Sequence, residues 1–390
     1  MFVPKLIIHW PRFGPYHLAR LNATHMRFQK QGFQILGLET AGQDSTYHWR
    51  KTAEAVPFKR VTLAENEIVE NLGRRQLWSK LSNLLQQIQP DAVAISGYSA
   101  PDAQMLLLWC RVHQVPAILM SASKFDDAPR SLFRESVKSF LVRQYAAALC
   151  GGKPQRTYLE KLGMKPDRIF VGYDAVDNEY FYEKALEARK NSNNYHHLPG
   201  LADSDPFFLA SSRFVARKNL IGLLKAYQVY MEQIRQREVQ PWRLVILGDG
   251  EERENLEEFI SGYQIDGVTL AGFRQIEELP IYYGLANAFI HPALQEQWGL
   301  VVNEAMACGL PVFVSEKCGC AYDLIHPGEN GYTFDPGSIS QISDLMLQAT
   351  IGELDLEAMG QASKEIISNW GIPQFAEGMW CAFKDVVSKK

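Results

Sequence analysis

The sequence has no apolar run of the about 18 residues that a membrane-crossing helix needs, so no spanning segment is expected in its 390 residues. It also lacks the charged, apolar and small-residue sections of a secretory signal in their usual order. Lys5–Trp10 (KLIIHW) is short and bracketed by Pro4 and Pro11, as a strand is. Cysteine is scarce: six are present, most of them in apolar runs where reduced core thiols sit. Cys318-Gly-Cys320 has no second pair at ligand spacing, which argues against a metal or redox centre. The expected setting is cytoplasmic, with peripheral contact to the inner face of a membrane as one option. Low-complexity tracts and sequence repeats are missing too, the 28 glycines and 19 prolines being spread through the chain.

Charge is present but unevenly placed. The net of −4 divides into +7 over residues 1–180 (23 Lys+Arg against 16 Asp+Glu) and −11 over the remainder (17 against 28). The basic half suits an anionic acceptor or an anionic membrane surface. Two domains of different surface composition would give the same numbers, and composition leaves both readings open. No nucleic-acid partner is expected.

Short apolar runs alternate with amphipathic segments. Strands are expected at Lys5–Trp10, Phe33–Glu39, Asp91–Gly97, Pro116–Ser121, Ala146–Gly151 and Arg168–Tyr173. Helices are expected at Leu18–Gln31, Leu77–Ile88, Asp102–Val112 and Ser131–Gln144. Fully apolar strands in such alternation imply a parallel sheet covered on both faces. The polar stretch 183–205 interrupts the pattern and reads as a linker. Alternation restarts at Phe207–Ser212 and continues through Trp242–Gly248, Val268–Gly272, Ala288–Pro292 and Pro311–Glu316. The sequence therefore predicts an α/β protein of two doubly wound domains, 1–182 and 206–368. A helix within 369–390, about Gln374–Val387, packs back, with the first domain as its candidate partner. Ligands of such sheets bind beyond the carboxyl ends of the strands, here in a cleft where two domains face each other.

The most informative segment runs from His291 to Val312. A strand ends at His291-Pro292, a loop carries Glu296 and Gly299, and a helix starts near Leu300. Gly309 supplies a left-handed cap and Pro311 blocks continuation. The backbone N–H groups of Gly299, Leu300 and Val301 then lie at a helix N-terminus, which suits a phosphate. Glu296 precedes the helix and Glu304 lies within it. One reaches a sugar ahead of the helix, the other a ribose beside it.

This segment resembles the E-x7-E signature of glycosyltransferase family 4, including its Glu-Ala-Met-Ala-Cys-Gly-Leu-Pro-Val continuation. Ser212-Arg213 through Lys218-Asn219 resembles the family's Gly-Arg…Lys-Asn/Gly loop, with Ser212 replacing the glycine. Gly248-Asp249-Gly250 resembles its Gly-Asp-Gly turn, Val268–Phe273 its base-binding loop, and Gly328-Glu-Asn-Gly331 a strand near the domain's end. Leu159–Gly163 with Tyr173–Phe181 resembles the domain crossover. The N-terminal glycine-rich loop is reduced to Phe13-Gly14-Pro15. The resemblance implies the GT-B fold of two Rossmann-like domains and a retaining transferase without metal or cofactor. Its donor is a UDP-, GDP- or ADP-sugar, and its acceptor a saccharide, a lipid-linked or a small molecule. It further implies that Arg213 and Lys218 neutralise the leaving diphosphate. Glu304 holds the ribose, Glu296 orients the sugar, and Phe273 with the Arg274 backbone meets the base.

Acceptor-side candidates are Gly14, His17, Ser121, Lys124 and Asp127. Asp126-Asp127 either orients the acceptor or caps the helix near Ser131. His9, His113 and His291 are expected to be structural. Asp203-Ser-Asp205 matches a metal-binding string but sits in the linker, where it reads as a cap. An epimerase on the same fold and a non-catalytic nucleotide-sugar binder or membrane-docked scaffold are the rival readings. Ser121, where an epimerase would place a base, disfavours the first, and the intact Glu296, Glu304, Arg213 and Lys218 disfavour the second.

Overall fold

The computed structural model describes residues 4–43, 49–50, 56–68, 72–127, 130–202 and 205–388. The chain forms two compact units, one of Met1–Asp177 with Trp370–Lys390 and one of Asn178–Asn369.

The first unit runs β1 (Lys5–Trp10), α1 (Pro15–Gln29), β2 (Gln34–Gln43), β3 (Lys59–Ile68), α2 (Arg74–Ile88), β4 (Ala92–Ser96), α3 (Pro101–Val112), β5 (Ala117–Ser121), α4 (Leu132–Val142), β6 (Ala147–Cys150), α5 (Lys153–Lys161) and β7 (Ile169–Val171). Its seven-stranded sheet has the order β3-β2-β1-β4-β5-β6-β7, with every pairing parallel. Alternate residues of each strand feed two cores. Ile7, Val93, Ile95 and Leu119 pack with Leu77, Leu81 and Leu106 of α2 and α3. Leu6, Ile8, Ala94 and Met120 pack with Leu21 and Phe28 of α1 on the other face. Burial on both sides is what makes these strands read as unbroken apolar runs.

The second unit runs α6 (Asn178–Lys190), β8 (Phe207–Ser211), α7 (Leu220–Arg235), β9 (Arg243–Leu247), α8 (Arg253–Gly262), β10 (Val268–Gly272), α9 (Leu279–Leu285), β11 (Ala288–His291), α10 (Leu300–Ala307), β12 (Val312–Ser315), α11 (Ala321–Leu324), β13 (Gly331–Phe334), α12 (Ile339–Thr350) and α13 (Leu356–Ile367). Its six strands are ordered β10-β9-β8-β11-β12-β13, again all parallel. The order reverses between β8 and β11, the switch point at which such sheets open a crevice.

Two expectations are corrected. The segment 183–205 is not a plain linker: α6 occupies its start and packs on α9 in the second unit. The buried side of α6 is Phe181, Ala185 and Ala188, and a Cβ on Gly284 of α9 would stand 2.8 Å from Ala185 O, so small residues let the helices close. Asp203 and Ser204 lie outside the described residues; Asp205 Oδ1 accepts from Gln240 Nε2 at 3.1 Å. The strand β3 was also missing from the expected set, because only Ala64 of its ten residues is buried.

The last helix, α14 (Ile372–Val387), returns to the first unit and lies along α1. Phe375, Met379 and Phe383 enter the core beside Phe28. Phe28 meets Trp380 and Phe383 with ring centroids 5.1 and 5.2 Å apart. Gly378 sits where the helix presses on the sheet: a Cβ there would stand 2.6 Å from Val171 O and 2.7 Å from Leu149 Cδ1. Gly378→Val is expected to cost about 2–3 kcal/mol through overpacking, read from the urea midpoint. The control Gly262→Ala, at a helical position with nothing within 4 Å of the new Cβ, is expected to gain about 0.5–1 kcal/mol.

Candidate functional site

The loops that follow β8 and β11 meet at the switch point of the second unit. The β8 loop carries Arg213 and ends in a single turn of 3-10 helix, Ala216–Lys218. Its shape is set by the β9 turn, where Gly248 has φ +132° and a Cβ would lie 1.8 Å from Ser212 O. Phe214 N–H donates to Asp249 O at 2.8 Å and Glu252 N–H to Phe214 O at 3.0 Å. Gly248 thus braces the loop from behind. At the loop's end Lys218 turns inward and is buried.

Lys218 Nζ donates to Glu296 Oε2. Arg217 NH1 lies 3.8 Å from Glu296 Oε1, and His291 Nε2 lies 3.3 Å from Glu296 Oε2. Burial, then the neighbouring Arg217 and Arg213, lower the Lys218 ammonium to about 8; the touching carboxylate works the other way. Burial with Lys218 and Arg217 nearby holds His291 well below the usual imidazole range. A neutral His291 facing a carboxylate carries its proton on Nε2 and donates it. His291, expected to be structural, is therefore part of this cluster. Arg217 also joins it, unnamed by the sequence reading.

The loop bearing Glu296 is held by backbone. Glu296 pairs with Cys318 in a parallel bridge. Gly319 N–H donates to Glu296 O at 3.1 Å, and Cys320 N–H to Trp298 O at 3.2 Å. The Cys318-Gly-Cys320 string is a strut under the glutamate, with both thiols buried. Trp298 Nε1 donates to Asn303 Oδ1 at 2.9 Å, which pins the loop to α10. Gly299 is the N-cap of α10 with φ 104°. A Cβ there would stand 3.4 Å from Glu296 Cγ, an ordinary contact. The left-handed backbone, more than close approach within the chain, is what calls for glycine. Leu300 and Val301 open the helix, where N–H groups have no carbonyl of their own helix to bond. Gly309 has φ 76° and caps the other end, with Leu310 N–H donating to Ala305 O at 3.0 Å.

Glu304 lies one turn into α10 and is 2% exposed. Its Oε2 accepts from Tyr283 OH of α9 at 2.8 Å. The tyrosine fixes the carboxylate's rotamer. Phe273 follows β10 and is half-buried. Arg274 folds back on its own loop: NH1 donates to Glu278 Oε1 at 3.1 Å, NH2 donates to Ala271 O, and the guanidinium stands 5.6 Å from the Tyr282 ring centroid. These residues all lie at the carboxyl edge of one sheet. They assemble three cationic side chains, a helix N-terminus and two carboxylates, a set suited to a ligand carrying both phosphate and hydroxyl groups.

In the first unit the acceptor-side candidates divide. Gly14 is the N-cap of α1, and its N–H donates to His17 Nδ1 at 2.9 Å. That bond puts the His17 proton on Nε2. Burial, with Arg20 and Arg12 near, lowers His17 to about 3, so the ring stays neutral. Its centroid lies 4.9 Å from that of Trp10, whose Nε1 donates to Tyr173 OH at 3.0 Å. Ser121 ends β5, and its Oγ accepts from Ser123 N–H at 3.2 Å. Lys124 and Asp127 are bound to each other's turn. Lys124 N–H donates to Asp127 Oδ2 at 2.7 Å and Lys124 Nζ to Asp126 Oδ1 at 2.6 Å. Asp127 therefore closes a 124–127 turn and does not cap α4, whose N-cap is Ser131. His9 is structural: its Nε2 meets Thr40 Oγ1 at 2.8 Å, and Thr40 donates to Asp102 Oδ2 at 2.8 Å, all three buried.

Comparison with known proteins adds a name to this geometry. Residues 191–366 match the family model described as glycosyl transferases group 1. A 166-residue stretch is 30% identical to the O-antigen chain mannosyltransferase B of Escherichia coli, covering 42% of this chain and 40% of that one. The chain spans less than half the length of the curated relatives it matches. Among solved structures, a sucrose-phosphate synthase of Thermosynechococcus elongatus is similar over 99% of this chain and 100% of that one, with a TM-score of 0.75 at 17% identity. The Anabaena protein HepE, solved in complex with UDP-glucose, is similar over 96% and 97% with a TM-score of 0.68 at 16% identity. The fold is GT-B, and the stretch that matches the glycosyl transferases group 1 model lies within its second unit.

Proposed function

We propose that the protein transfers a glycosyl group from a nucleoside-diphosphate sugar, held by the second unit, to a hydroxyl of an acceptor. The observation that carries this reading is the Lys218–Glu296 pair at the switch point, with Arg213, Arg217 and the α10 N-terminus around it. A nucleoside diphosphate leaves readily only if its developing charge is met, and preorganised cations and N–H groups meet it without solvent reorganisation. The Glu296 carboxylate presently lies where an anion belongs. An arriving diphosphate takes over Lys218 and releases Glu296 to accept hydrogen bonds from the sugar hydroxyls. Glu304, oriented by Tyr283, accepts from the ribose. Phe273 and the Arg274 backbone meet the base. The cationic set supports chemistry without a divalent ion, and the family supports retention by front-face substitution, the leaving phosphate helping to deprotonate the acceptor. His17 Nε2–H and Ser121 are the acceptor-side groups. The UDP-glucose complex of the similar Anabaena protein makes UDP-sugars the first donors to test.

Thermal stabilisation by UDP-, GDP- and ADP-sugars identifies the donor. The right one, at 100 times its dissociation constant, stabilises by about 2.7 kcal/mol. Glu304→Ala is expected to lose this shift while remaining folded, and an unchanged shift overturns the site. Tyr283→Phe is expected to weaken donor binding by about tenfold, since the carboxylate loses its fixing hydrogen bond. Lys218→Ala is expected to lower kcat/KM by about a hundred- to a thousandfold, measured as nucleoside diphosphate released with and without EDTA. EDTA is expected to change nothing.

Donor affinity should also depend on pH in one direction. Lys218 is charged below about 8 and loses its proton as pH rises through that value. Affinity is therefore expected to fall on the alkaline side in titration calorimetry. Lys218→Gln, already neutral, should show a flat profile over the same range.

A further inference from the structure

An amphipathic helix on a globular unit normally turns its apolar stripe inward. In α4 the arrangement is reversed. Phe133, Val137 and Phe140 recur at helical spacing on one face and are 77%, 44% and 66% exposed, and Leu132 in the first turn is 91% exposed. The inward side is held by polar contacts. Glu135 accepts from Arg130 at 3.1 Å, from Lys138 at 2.8 Å and from Tyr158 OH at 2.8 Å. Ser139 Oγ donates to Leu162 O at 2.8 Å. Only Val142 of the helix is fully buried. Phe125, 48% exposed, extends the apolar surface. A groove of about 540 Å³ runs beside it, lined among others by Phe125, Leu132, Phe140, Arg143 and Lys161. A contiguous patch of this kind on one unit calls for an occupant.

Charge narrows the choice. Residues 130–168 hold nine Lys+Arg and three Asp+Glu, a net of +6, so much of the first half's positive excess is concentrated here. Arg134 and Arg143 are exposed at the stripe, and Lys161 Nζ stands 4.2 Å from the Phe125 ring centroid. A second copy of the chain would press this cationic rim against itself. An anionic phospholipid surface satisfies the aromatic stripe and the rim together. At 11 residues α4 is too short to cross a bilayer, and among the described residues no helix is long and apolar enough to do so.

We propose that α4 is a surface-docking element for an anionic membrane. Leu132, Phe133, Val137 and Phe140 enter the boundary between headgroups and acyl chains, and Arg134, Arg143 and Lys161 contact lipid phosphates. This does not depend on the transferase reading, because none of these residues belongs to the second unit.

The test is co-sedimentation of the full chain with vesicles of phosphatidylglycerol and phosphatidylcholine, against vesicles of phosphatidylcholine alone. The protein is expected to bind the first and not the second, and to be released by salt. Phe133→Ser with Phe140→Ser should weaken binding by about a hundredfold, and Arg134→Glu with Arg143→Glu by at least about tenfold. Both variants are expected to keep the parent melting temperature, as all four positions are exposed. Hydrogen exchange on the unaltered chain gives an independent reading: amides of Leu132–Val142 should be protected by the anionic vesicles only. Equal binding to both vesicle types, equal binding by parent and variants, or a dimer that the serine variant dissolves while no vesicle is bound would each overturn the proposal.

Discussion

A lysine ammonium buried at the edge of a parallel sheet is stable only if something negative lies against it, since the cost of an unpaired buried charge is several kcal/mol. In the second unit Glu296 fills that role for Lys218. The two residues come from loops after β8 and β11, the strands between which the sheet order reverses. Their pairing ties both loops together over the crevice. The Gly248 turn behind one loop and the Cys318–Cys320 strut beneath the other leave each little freedom. The site is therefore assembled on strand ends, where geometry is most reproducible, and its charge balance is set before any ligand arrives. A grip whose lysine is already paired when empty eases the repulsion among Arg213, Arg217 and Lys218.

Much of the architecture was legible in the sequence because its strands are buried on both faces. Lys5–Trp10 and Val268–Gly272 end where the apolar runs end. The parts that escaped are those whose burial is partial or whose buried residues are small. Among the described residues the edge strand β3 has one neighbour, and it carries Lys59 and Glu65 exposed and Arg60 paired with Glu39, so no apolar run marks it. The helix α6 buries Ala185 and Ala188, and Ala185 fits against Gly284 without leaving a hydropathy signal. The return of α14, with the first unit as its candidate partner, was legible from its apolar stripe; which surface it covers there is decided by Phe28 and Phe33, 355 and 350 residues before Phe383.

The candidate site divides in the same way. The α10 segment was readable because Gly299, Gly309 and Pro311 punctuate it, and Glu296 and Glu304 stand out as charges in an apolar stretch. That Lys218 would bond Glu296 was not readable, for 78 residues separate them. Nor was the part played by Tyr283 or His291, since a single aromatic residue or a strand-end histidine has the same local pattern whether it fills space or holds a carboxylate. Asp127 shows the converse, an acidic residue at a promising strand end whose oxygen is taken up by the turn that contains it.

The route of the chain through its two units has a consequence for synthesis. Residues 1–177 complete their strands early, yet one face of their sheet is covered in part by Phe375, Met379 and Phe383, which leave the ribosome only after the second unit. The unit begun first is thus finished second. Between those moments Phe28 lacks Trp380 and Phe383, and a nascent chain stalled after the second unit would present an aromatic surface to chaperones or to other chains.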